Sequence, residues 1–216
     1  MKIPNISGRG YWRAAQIGAL IVVAIYLVNI VRMFWDFRQE LTMSNNVRLT
    51  DRWADVRYRL GSPTDVLGPS ENGGFRRVFA VNGPAGGLNT MPPETRLEDY
   101  GGWDYTGDKG AHTVTVEFDK AGKVDSITRY CGIADSLYGP DGNPLAGIRV
   151  GDDEEKVLSL GDPSNISIDG GVKTVEFNDI GVRFQLAKGK VYRMTLKRHS
   201  EDEWVVVRRF LHTQFP

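Results

Sequence analysis

The chain has 216 residues, of which 41% are hydrophobic and 25% charged, with 27 basic and 27 acidic residues in balance. That length suits one domain or two small ones, and the composition excludes gross disorder. A single cysteine, Cys131, excludes an intramolecular disulfide and a cysteine-rich zinc site. The charge is unevenly placed. Lys2, Arg9, Arg13 and Arg32 precede the first acid, Asp36, which leaves 23 basic against 27 acidic residues from Asp36 onward, about −4. A mildly acidic main body is a poor electrostatic match for nucleic acid, so no nucleic-acid partner is expected.

Residues 1–13 form a basic flank, and residues 14–35 are predicted to be a transmembrane helix. At 1.5 Å per residue, about 20 apolar residues span roughly the 30 Å of a bilayer's hydrocarbon core. Gln16, Asn29 and Arg32 are the strongly polar members and lie near the ends. Tyr11 and Trp12 before the run, and Phe34, Trp35 and Phe37 after it, fit interfacial aromatic belts. A cleaved signal peptide would need a shorter apolar core and a small-residue cleavage site, and Asn29–Trp35 offers none. The compact basic flank predicts the N-terminus inside and the remainder outside. Ala14 and Gly18, four residues apart, would let a second helix approach closely, which makes Gly18 a candidate contact. The plainer reading is that Ala and Gly are common in membrane helices.

After a juxtamembrane linker, residues 36–47, two stretches about 100 residues apart share one plan. Leu49–Pro63 and Val150–Pro163 each read as a short helix. Thr50 or Asp51, and Asp152, are the candidate N-caps. Leu60 and Leu160 close the apolar stripe, Gly61 and Gly161 end the helix, and Pro63 and Pro163 block its continuation. Strand signals follow each helix. In the first copy they are Phe75–Val81, Trp103–Tyr105, Thr113–Phe118 and Lys123–Tyr130, with Asp119–Gly122 as a turn. In the second they are Thr174–Phe177, Val182–Leu186 and Lys190–Leu196. Gly122-Lys123-Val124 and Gly189-Lys190-Val191 occupy the same place. The predicted class is α+β: an N-terminal transmembrane helix followed by two tandem helix-plus-antiparallel-meander units, residues 48–132 and 147–199, joined by a connector, residues 133–146. Gly83–Gly87 and Met91–Pro93 mark a long loop in the first unit.

The helix carrying Val56, then Leu60-Gly61-Ser62-Pro63, then Trp103-Asp104-Tyr105 and the Phe118–Val124 hairpin resembles the SmpA/OmlA family of small outer-membrane lipoproteins. It also resembles the wider fold group that contains β-lactamase inhibitor protein. Val157, Leu160-Gly161-Asp162-Pro163, Phe177 and the Leu186–Val191 hairpin repeat the pattern. The resemblance covers roughly residues 48–198, with a transmembrane helix in place of the lipid anchor. It implies a periplasmic module that works by surface contact and not by catalysis.

Catalytic and metal signatures are missing. His112, His199 and His212 share no metal-ligand spacing, and Cys131 has no recognisable partner motif. Gly8-Arg9-Gly10 and Gly101-Gly102 lack the context of a phosphate loop. Asp152–Glu155 suits a first helical turn better than a cation site. The tail, residues 200–216, opens with Ser200 and Glu203 at capping-box spacing. Trp204, Val207, Leu211 and Phe215 then recur at helical spacing, with Arg208, Arg209 and His212 between them. A terminal helix packed on its own sheet is one reading, and a docking helix for a partner or membrane surface is the other. The run Val205-Val206-Val207 leaves an edge strand as a third.

The expectation is therefore a non-enzymatic, single-pass protein of a bacterial inner membrane, its soluble part periplasmic. It would be a scaffold or an accessory or assembly subunit of an integral membrane complex, with an inhibitor or ligand-sensing module as the alternative. No catalytic, cofactor or metal residue is assigned. The expected partner-binding residues are Gly18, Trp103, Tyr105, Trp204, Arg208 and Leu211.

Overall fold

The computed structural model describes residues 8–68, 77–84, 89–106, 112–131, 144–199 and 203–214. The chain divides into two compact units, Met1–Asp36 and Phe37–Pro216.

The first unit belongs to one helix, α1 (Gly8–Glu40), which continues four residues past the division. Its span Ala15–Glu40 is 26 residues long, with a mean hydropathy of 2.3 in its most apolar stretch, enough to cross a membrane. Apolar residues ring the helix, and Leu20, Ile21, Val22, Val23 and Val28 are all exposed. In water that would cost free energy at every turn, and in lipid it is the favourable state.

The second unit begins inside what reads in sequence as a linker. Phe37, Leu41 and Val47 are buried, and residues 43–48 form a tight hairpin of β1 (Met43–Ser44) and β2 (Val47–Arg48). Of the segment 36–47, residues 37–47 are thus part of the second unit and not a free linker. Three apolar side chains at positions 37, 41 and 47 gain more from burial than from solvation. The Glu40 carboxylate accepts the backbone N–H of Gly147 at 2.6 Å, which ties this segment to the start of the second half.

The unit is α+β, built on a nine-stranded antiparallel sheet. The first half supplies α2 (Trp53–Leu60), then β3 (Asp65–Leu67), β4 (Val78–Ala80), β5 (Gly102–Thr106), β6 (His112–Phe118) and β7 (Val124–Cys131). The second supplies α3 (Glu154–Leu158), then β8 (Asn165–Asp169), β9 (Val172–Phe177), β10 (Val182–Ala187) and β11 (Lys190–Lys197). A final helix, α4, spans Glu203–Gln214. The spatial order is β4-β3-β5-β6-β7-β11-β10-β9-β8. The halves are therefore not separate: β7 pairs with β11, with Thr128 opposite Thr195 and their hydroxyls 3.1 Å apart.

Matching backbone bonds recur in both halves. Asp51 accepts the N–H of Arg48 at 2.8 Å, and Asp152 accepts that of Arg149 at 2.7 Å. The carbonyls of Asp51 and Asp152 each accept from the valine after a Gly-Lys turn, Val124 and Val191, both at 2.9 Å. These aspartates close the turn before the helix and are not its caps. The N-cap positions fall one residue later, at Arg52 and Asp153. A short side chain already bonded to an upstream N–H is not available to the helix.

Alternation sorts the sheet into two faces. One face carries Val66, Trp103, Val116, Ile127, Leu196, Met194, Phe184, Val182, Val175 and Phe177, all buried. Each large side chain removed from water contributes about 1.5–3 kcal/mol. The other face carries a cross-strand row of Asp65, Asp104, Thr115, Thr128, Thr195, Arg183, Glu176 and Asn165.

Candidate functional site

The tail forms a helix, and it docks on its own sheet. Val206, Arg209 and Phe210 of α4 are buried. Phe210 meets Phe37 edge-on, with ring centroids 5.8 Å apart. Arg209 makes the decisive contacts. Its Nη1 donates to the Leu160 carbonyl at 2.9 Å, and its Nη2 to the Asp162 carbonyl at 2.8 Å. Nε and Nη2 both donate to Asp179 Oδ2, at 3.1 and 2.9 Å. The guanidinium carbon lies 4.9 Å from the centroid of the Phe177 ring. Arg209 thus satisfies two carbonyls of the turn that follows α3, those of residues 160 and 162. Its planar guanidinium fork suits several acceptors at once.

Gly161 makes this possible. Its φ is +97°, and a Cβ there would stand 2.9 Å from Arg209 Nη1. The matching Gly61 also has positive φ, +82°, but open space around it. The two Leu-Gly-x-Pro motifs thus differ in use, since the second receives an arginine.

The apolar stripe read from sequence, Trp204, Val207, Leu211 and Phe215, is not the packed face. Positions 206, 209 and 210 turn inward, and Phe215 and the Ser200 cap lie outside the described residues. The exposed face carries Trp204 at 81% exposure, Arg208, and Leu211 at 47%. Spacings of four and three place these three residues in one strip. The Arg208 guanidinium reaches within 3.9 Å of Asp179 Oδ2 while staying largely in solvent. An indole and a guanidinium side by side are residue types enriched among the anchors of protein interfaces.

The other expected contact residues stand elsewhere. Trp103 is completely buried on β5, its Nε1 donating to the Leu97 carbonyl at 2.9 Å and its ring edge-on to Phe118 at 4.8 Å. It is core and cannot meet a partner. The indole is large enough to fill the space under the first half, and a backbone acceptor satisfies its one polar atom. Tyr105, two residues on, is half-buried with its hydroxyl 3.5 Å from the Gly61 carbonyl. Burial pushes its phenol well above its usual range, against a smaller opposing pull from Arg57. Gly18 lies on α1 with no heavy atom within 4 Å of where a Cβ would sit. Trp204, Arg208 and Leu211 are therefore the members that share a surface.

Two further polar places were not read from the sequence. On the polar face, Asp104 stands opposite Asp65 and Thr115. Burial raises its carboxyl above the ordinary value, with the Thr115 hydroxyl pulling the other way and Asp65 adding to the rise. Farther along, an open pocket of about 240 Å³ is lined by Glu176, Asn178, Gly181, Val182, Arg183, Lys197 and Arg198. Arg183 is paired with Glu176, and Arg198 with Asp119 at 3.1 Å. These residues converge from β9, β10 and the end of β11, and single-strand patterns do not reveal such convergence. Among the described residues, no group of three or more His, Cys, Asp or Glu is placed to hold a metal ion.

No family model matches the chain, and no curated protein matches it. One solved structure is similar: a DUF4309 family protein (YjgB) from Bacillus subtilis subsp. subtilis str. 168. It has 14% identity and a TM-score of 0.41, with 77% of this chain and 95% of that chain covered.

Proposed function

We propose that the protein is a single-pass, membrane-anchored, non-enzymatic scaffold or accessory subunit of a membrane protein complex. In this reading α1 is an uncleaved anchor in a bacterial inner membrane, the α+β unit is periplasmic, and the Trp204–Arg208–Leu211 strip docks the partner. The observation that carries it is the helix α4: one side is fixed to the sheet by Arg209, and the other holds an indole 81% exposed. A helix immobilised before binding loses less conformational entropy on association. The SmpA/OmlA-like pattern of helix, Leu-Gly-x-Pro and hairpin agrees with a contact role.

The test is affinity purification of the full-length protein in mild detergent, with mass spectrometry of what co-purifies. A defined integral-membrane complex that is retained by the parent and lost by Trp204→Ala with Arg208→Glu would establish the reading. Recovery of the same partners by the double variant would refute the assigned surface. Recovery of the parent alone in several gentle detergents would refute the accessory-subunit role.

A ligand-sensing module is the second reading, favoured by the pocket between Arg183, Lys197 and Arg198. Arg183, Lys197 and Arg198 outnumber Glu176 and Asp119, the carboxylates paired with two of them, and that balance suits a small anion. Calorimetric titration of the full-length protein with inorganic phosphate and with citrate would separate this reading from the first.

A further inference from the structure

The two ends of the sheet are finished differently. At one end, β4 is covered: the Ala80 N–H donates to the Asn89 carbonyl at 2.7 Å, and the Met91 N–H donates to the Ala80 carbonyl at 3.0 Å. At the other, β8 pairs with β9 on its inner side alone, and among the described residues no strand pairs with its outer side. All five residues of β8 are exposed. An edge of this kind presents a row of unpaired N–H and C=O groups, which natural sheets usually protect with proline, lysine, a bulge or a covering loop. Residues 165–169 read Asn-Ile-Ser-Ile-Asp, without proline or a basic residue, and the register with β9 is unbroken over five pairs.

The side chains make the edge selective. Ile166 stands opposite Val175, which is completely buried, and so lies on the apolar face of the sheet. It is nevertheless 45% exposed, and Ile168 is 73% exposed. The side chain opposite Ile168 is Lys173, whose ammonium is held by Glu154 of α3. The cation that would guard the edge is thus engaged on the neighbouring helix.

The strand is complementary to itself. Laid antiparallel against a second copy with Ser167 on the two-fold axis, Ile166 of each copy faces Ile168 of the other. Asn165 faces Asp169, an amide donor against a carboxylate acceptor. A parallel in-register pairing would instead set Asp169 against Asp169, a like-charge pair that destabilises. An isologous two-fold contact is the commonest way for identical chains to associate.

We propose that β8 is a homodimerisation edge, on which a second copy of this chain adds its own β8 antiparallel, centred on Ser167, joining two nine-stranded sheets into one. Four isoleucine side chains gather on the apolar face at the join. On the membrane-anchored reading proposed above, confinement of two copies to one membrane raises their effective concentration and so favours a contact of five residues per copy.

Thiol cross-linking of the full-length protein in detergent and in lipid vesicles tests the register. Directly opposed Cβ atoms lie about 5 Å apart, within reach of a disulfide. Two copies of residue 165 would lie four residues, about 14 Å, out of register. Ser167→Cys is expected to form the 167–167 disulfide on the order of tenfold faster than Asn165→Cys forms its own, as follows from that separation. The linked peptides are identified by mass spectrometry, so Cys131 stays in place. Adding Ile168→Lys to Ser167→Cys should return the rate to that of Asn165→Cys without lowering the melting temperature, because residue 168 is exposed. Equal rates at 165 and 167, no 167–167 linkage, or a linkage indifferent to Ile168→Lys would overturn the proposal.

Discussion

Arg209→Ala should undock α4 and lower the stability of the folded unit by about 3 kcal/mol. The magnitude follows from what is left behind. The carbonyls of Leu160 and Asp162 lose their guanidinium donors, and Asp179 Oδ2 loses two. A hydrogen bond to a charged group contributes about 1.5–3 kcal/mol, and breaking a buried ion pair from one side costs about 3–5 kcal/mol. The Asp179 side chain keeps 25% of its exposure against 7% for Arg209, so water recovers part of its loss and the lower end applies. Three kcal/mol is a factor of about 150 in the folding equilibrium. The assay is urea unfolding of the full-length protein in detergent followed by near-ultraviolet circular dichroism, with hydrogen exchange over residues 203–214. Arg209→Lys keeps the charge without the planar fork and should fall between parent and alanine variant. If Arg209→Ala unfolds within about 0.5 kcal/mol of the parent, the range of ordinary surface substitutions, and α4 amides stay protected, Arg209 is not what holds the helix.

Gly161→Ala should cost about 1 kcal/mol or more, since it strains a positive φ and crowds Arg209; the same urea assay should find it costlier than Gly61→Ala, which has strain alone. Trp103→Ala should cost about 3–5 kcal/mol as a core truncation, whereas Trp204→Ala, at 81% exposure, should leave the melting temperature unchanged. Asp104→Asn should stabilise the protein at neutral pH. Because burial raises the folded-state carboxyl, the contribution of Asp104 to stability is greatest below the unfolded value of about 4 and is lost as pH rises through the raised one. The variant lacks that loss, so the gap between the two should close on acidification. Urea midpoints at pH 3.5, 5 and 7 check this, and a gap independent of pH would contradict it.

Much of this architecture was legible in one dimension because it rests on local rules. The long apolar run of α1 shows in hydropathy, the strands β6, β10 and β11 in alternation, and the ends of α2 and α3 in Gly61 and Gly161 with a proline two residues on. The hairpin at Gly122 was legible for the same reason: Asp119 accepts the N–H groups of Ala121 and Lys123 within the turn itself. The strands β3 and β8 were missed because three and five residues, flanked by Ser, Pro, Thr and Gly, carry too little periodicity to be separated from a loop. The hairpin of residues 43–48 was missed because its turn uses two asparagines with positive φ, Asn45 and Asn46, within a segment that reads as polar.

The sequence by itself determined where the chain is apolar, where it turns and which residues alternate, since each depends on neighbours a few positions away. Only the tertiary structure decided which aromatics are core and which are surface. Trp103 and Trp204 look alike in sequence, yet one is enclosed between strands separated by dozens of residues and the other stands outward. The side that α4 turns inward was settled in the same way. The carbonyls of Leu160 and Asp162 and the carboxylate of Asp179 converge there from two places in the chain. A buried guanidinium is stable where those acceptors meet, and that meeting point exists only once the sheet has formed.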